Sequence, residues 1–187
     1  MMARLIVGLA MVSAVGITNG ADLSSHTDFA TLEKRDLFKF CSPEEQMTVF
    51  VSSLPEYAIP AGLTSDNIRN ATENRLRNAQ IYAEDAYPIL RISILLGEPD
   101  EGGRYFPFYS ITLEYYRILL ADFLDEYSHA ATWTTRGAGQ GDANTILGTF
   151  HRLLDRFVAS YLRVRDSEEC RTFRQTLRFA FPRRQSG

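Results

Sequence analysis

The chain has 187 residues, 45% of them hydrophobic, and sets 20 Lys and Arg against 23 Asp and Glu for a formal net charge of -3. That length accommodates one ordinary domain with an export segment, and the apolar content excludes wholesale disorder. The slightly acidic balance gives no reason to expect nucleic acid as a partner.

In chain order, Arg4 is the only charged side chain before Asp22, and the apolar run Leu5 to Ile17 lies between them. A positive start, an apolar stretch and small residues read as a secretory signal peptide over residues 1–21. The stretch is about 13 residues, short of the roughly 20 that span a bilayer. Residues 22–46 follow as an amino-terminal arm or short helix, with Leu32, Leu37 and Phe40 as its apolar contacts. Met47 to Val51 has strand composition, and Pro55 and Pro60 punctuate the connection after it. Thr64 or Ser65 suits a helix cap, with Ile68, Ala71, Leu76, Ala79 and Tyr82 near one face of the helix that follows.

Ile89 to Leu96 alternates with period two, and Tyr109, Ile111, Leu113 and Tyr115 repeat that alternation beyond the turn-forming Gly97 to Gly103. Two such runs predict a hairpin. The second run extends toward Leu120, the segment Asp122 to Tyr127 carries the next reversal, and Ala130 to Thr135 is a third strand ended by Gly137 to Gly141. Asp142 then caps a strongly periodic helix whose stripe is Ile146, Phe150, Leu153, Leu154, Phe157, Val158 and Tyr161. The expected fold is α+β, a two-layer sandwich with a β-α-β-β-β-α core over residues 47–164. Two helices pack on one face of a mostly antiparallel sheet. Residues 165–187 form an arginine-rich tail or one more short helix.

Cys41 and Cys170 are the only cysteines and flank this core. In an oxidising compartment they most simply pair, and closing a loop of that length stabilises a fold by roughly 4 to 5 kcal/mol in the chain-entropy model. The alternatives are two separate buried thiols or a metal site.

Several segments resemble a widespread, largely uncharacterised group of small exported bacterial proteins: Gly62-Leu63-Thr64, Glu73 to Ala79, Ala131-Thr132-Trp133 and Tyr161 to Val164 with Cys170 close behind. The similarity spans roughly residues 47–170 and implies an exported α+β domain without an assigned chemistry. The element order is also similar, in topology alone, to the amino-terminal domain of TolB and to CsgG-type envelope proteins. That likeness implies an accessory role in the envelope, made by surface contacts.

No constellation carries chemistry. The glycine run follows G-x-G-x-G and then Asp142, which matches no phosphate-binding pattern and places a carboxylate where phosphate would sit. His26, His129 and His151 lack zinc-site spacing, and no nucleophile turn of the G-x-S-x-G kind occurs. Asp122, Asp125 and Glu126 beside Tyr127 read as a solvated turn. The expectation is therefore a non-catalytic protein with no cofactor, metal or catalytic residue, and with a protein partner in the cell envelope. An enzyme assembled from His129, His151 and the acidic turn is the second reading. The third concerns the carboxy-terminal stretch, where seven arginines face three acids. There Arg171, Arg174, Arg178, Arg183 and Arg184 are candidates for contact with anionic lipid, polysaccharide or an acidic partner.

Overall fold

A computed structural model describes residues 29–121 and 126–180, with side chains for 34–119 and 128–176. The expected signal peptide, the first residues of the arm, Asp122, Asp125, Arg183 and Arg184 lie outside the described residues. The elements run α1 (Phe29–Phe40), β1 (Thr48–Val51), a 3-10 helix (Glu56–Ala61), α2 (Ser65–Asn78), β2 (Ile89–Leu96), β3 (Phe106–Ala121), β4 (Glu126–Gly141), α3 (Ala143–Arg165) and α4 (Glu168–Ala180). One four-stranded sheet has the order β1-β2-β3-β4. The β1–β2 pair is parallel and the other two pairs are antiparallel. A parallel pair needs a crossover, and α2 supplies it. The α+β class, with helices packed on a mostly antiparallel sheet, is therefore as expected.

The helices start where the sequence places their caps. The Thr64 hydroxyl accepts from the Asn67 N–H at 3.1 Å, and the Asp142 carboxylate accepts from the Thr145 N–H at 2.8 Å. Each satisfies a donor that has no partner inside the helix. The seven stripe residues of α3 are all buried, and Thr149 and Val164 join them. Against them lie Leu90, Ile92, Ile94 and Leu96 of β2 with Tyr109, Ile111, Leu113 and Tyr115 of β3, also buried. Register pairs Leu90 with Tyr115, Ile92 with Leu113, Ile94 with Ile111 and Leu96 with Tyr109, so one face of the sheet is a continuous apolar surface.

The glycine run does not end the third strand. Instead β4 continues through it to Gly141, pairing Ile111 with Gly137, Ser110 with Ala138 and Tyr109 with Gly139. The glycines are there because neighbours come too close for a side chain. A Cβ on Gly137 would lie 2.8 Å from Thr149 Cγ2, and one on Gly139 would lie 2.9 Å from the Tyr109 hydroxyl. The third strand is accordingly far longer than Ala130 to Thr135, and Glu126 and Tyr127 belong to β4 rather than to the reversal.

The segment before the sheet is a helix that enters the core. Phe40, at the end of α1, stands 5.7 to 6.2 Å from the rings of Tyr115, Trp133, Phe157 and Tyr161. The Cys41–Cys170 disulfide forms, with Cα atoms 5.6 Å apart, and ties the end of α1 to α4. Both sulfur-bearing residues are buried.

Candidate functional site

All the helix packing described above falls on one face of the sheet. On the other face, the register places Phe50, Ile89, Arg91, Leu95 and Tyr116 on the side opposite Leu90, Ile92 and Tyr115. Phe50 is 51% exposed and Leu95 63% exposed. Isolated exposed apolar residues are ordinary, but here Phe50 beside Arg91 and Leu95 farther along β2 share one sheet face. At one end of this face a shallow depression of about 460 Å³ is lined by Phe50, Tyr87, Ile89, Arg91, Tyr116 and His129. The ring of Tyr87 meets that of His129 edge-on, with centroids 5.0 Å apart. β-Alternation explains why Phe50, Ile89, Arg91, Tyr116 and His129 share one face, and Tyr87 joins them from the segment before β2. Their exposure follows from the absence of a helix above them among the described residues.

His129 sits on this open face, whereas His151 is exposed on α3, in the layer on the other side of the sheet. The two histidines of the second reading are thus not brought together. Among the described residues, no group of three or more His, Cys, Asp or Glu is placed to hold a metal ion. An acidic cleft of about 560 Å³ runs past Glu44, Glu45, Glu84 and Asp85, where the Glu44 carboxylate accepts from the Tyr87 N–H at 3.1 Å.

The carboxy-terminal arginines part company. Arg171 is exposed on α4. Arg174 is only 5% exposed, which corrects its expected role as a contact for anionic surfaces. Its Nε donates to the Ser42 carbonyl at 2.9 Å, one Nη donates to the Arg165 carbonyl at 3.2 Å, and Glu45 lies 3.4 Å away. The amphipathic turn of α4 turns this arginine inward, behind the disulfide, where it satisfies main-chain oxygens. Arg178 also belongs to α4.

Beneath the disulfide lies a cluster that the sequence pattern does not reveal. Tyr115, Tyr161, Arg117 and Ser42 are buried together with Arg174. Burial, and then the neighbouring Tyr161, push the Tyr115 hydroxyl well above the ordinary phenol pKa. Burial likewise raises Tyr161, whose hydroxyl donates to the Glu45 carbonyl at 3.1 Å, and lowers the Arg117 guanidinium. Arg117 is hidden in the sequence because it continues the inward alternation of β3 in a position where the pattern calls for an apolar residue. Its Nη1 donates to the Phe38 carbonyl of α1.

No family model matches the chain, and neither a curated protein nor a solved structure matches it. No helix among the described residues is long and apolar enough to cross a membrane.

Proposed function

We propose that this is a non-catalytic, exported domain, periplasmic or secreted, that acts by contact with a protein partner in the cell envelope. The open face of the sheet carries this reading. It offers exposed apolar side chains around Phe50 and Leu95, the kind of surface that marks a protein contact. The aromatic residues of the depression are suited to anchor such a contact, because they bury large areas at small entropic cost. The partner is an apolar protein segment, with Arg91 at the edge of the depression available to one carboxylate. Export accounts for the disulfide, since such bonds persist in oxidising compartments. The apolar run that follows Arg4 points the same way.

A photoreactive phenylalanine analogue placed at Phe50 or Leu95 in the protein expressed in its native cell tests the reading. The expected result is a discrete protein adduct from both positions and none from the analogue at Arg156, on the exposed side of α3. Absence of adducts at Phe50 and Leu95, or an equal yield at Arg156, overturns it.

A further inference from the structure

We infer that the groove between α1, α4 and the far end of β3 binds a small carboxylate with an apolar body, held by the buried guanidinium of Arg117. The groove has a volume of about 200 Å³ and is lined by Leu37, Phe38, Cys41, Arg117, Glu169 and Phe173. It is separate from the open sheet face and lies on the helix side of the molecule.

Two independent observations define the ligand. The lining is mainly apolar, from Leu37 and Phe38 of α1 and Phe173 of α4 with the disulfide-bonded Cys41. A dry apolar cavity of roughly 150 Å³ accepts a molecule the size of benzene, so this space fits a single ring or a short chain. The second observation is Arg117 itself. It is 7% exposed, and its Nε is buried with no hydrogen-bond partner, while Nη1 is held by the Phe38 carbonyl. A guanidinium carries only donors, so what completes it is an acceptor. A buried cation without a counter-charge costs several kcal/mol, so the favoured acceptor is an anion. Glu169 lies at the groove, exposed, and no carboxylate among the described residues comes within 4.0 Å of Arg117. A carboxylate on Arg117 with its apolar body between Phe38 and Phe173 meets both requirements at once.

Benzoate and its neutral analogue benzamide are suitable probes, titrated into the disulfide-bonded full chain. Calorimetry is expected to give one site with benzoate at least roughly tenfold tighter than benzamide, the margin of a charge-assisted hydrogen bond. In the nitrogen-15 spectrum the Arg117 Nε–H resonance shifts as benzoate is added, and this reads the contact in the unmutated protein. Arg117→Gln abolishes binding, and Glu169→Gln, which removes a neighbouring negative charge, leaves it equal or tighter. Equal affinity for the two probes overturns the inference, as does a stationary Arg117 resonance, which is the result if water alone fills the groove. Weaker binding in Glu169→Gln also overturns it, because the anion would then lie elsewhere. Should Arg117→Gln fail to fold, the probe pair and the resonance still decide the matter.

Discussion

Arg174 Nε donates to the carbonyl of Ser42 at 2.9 Å, so α4 is bound to the end of α1 by a buried charged hydrogen bond as well as by the disulfide at the adjacent Cys41. The two ties are chemically independent. Reducing the disulfide leaves the arginine contact in place, and removing the arginine leaves the covalent bond.

Arg174→Ala is expected to destabilise the protein by about 2 to 3 kcal/mol, because the carbonyls of Ser42 and Arg165 lose a buried donor. Arg171→Ala, on the exposed side of the same helix, is expected to change stability by less than about 0.5 kcal/mol. Urea unfolding of the two variants measures the difference.

Replacing Cys41 and Cys170 together by serine opens a loop with a sequence separation of 129. The expected loss is about 3 to 5 kcal/mol, and a reductant should lower the stability of the parent protein by a similar amount while leaving the variant unchanged. Denaturation with and without dithiothreitol checks both.

Two glycines should respond to alanine in opposite directions. Gly148 lies inside α3, exposed, and a methyl group added there would have nothing within 4 Å, so Gly148→Ala stabilises by about 0.5 to 1 kcal/mol. At Gly137 the new carbon would meet Thr149 Cγ2 at 2.8 Å and Leu153 Cδ1 at 3.1 Å. Gly137→Ala therefore pushes α3 from the sheet and costs about 1 to 3 kcal/mol. Thermal unfolding of the pair gives the signs directly.

Hydrogen bonds from the Thr145 N–H and hydroxyl hold the Asp142 carboxyl below its ordinary pKa. A depressed folded-state pKa gives stability that is fully present above the unfolded value, about 3.9, and is lost as pH falls through the folded value. Asp142→Asn keeps a capping oxygen without the charge. The variant is expected to lose less stability than the parent protein as pH falls from about 5 into the acid range, measured by melting temperature against pH.

The caps and the stripe of α3 are legible in the sequence because they are local. Thr64 and Asp142 act on N–H groups within a few residues, and Ile146 to Tyr161 repeats at the helical period. The alternation in β2 and β3 is legible for the same reason. The glycine run reads as a strand end because glycine is ordinarily a breaker, and only the approach of Thr149 and Tyr109 shows why the strand needs it there. Arg174 reads as a surface charge because a periodic pattern cannot state which carbonyls wait on the inward side. Arg117 escapes notice for the same cause.

By itself the sequence determined the period of α2, β2, β3 and α3, the caps at Thr64 and Asp142, the α+β class and the two cysteines available to pair. These follow from interactions between near neighbours along the chain. Only the tertiary structure decided that β4 runs on to Gly141, that no helix among the described residues covers the sheet face around Phe50, and that Arg117 and Arg174 turn inward. Each of those depends on residues far apart in sequence, such as Arg174 with Ser42 or Gly137 with Thr149, whose contact no local pattern encodes.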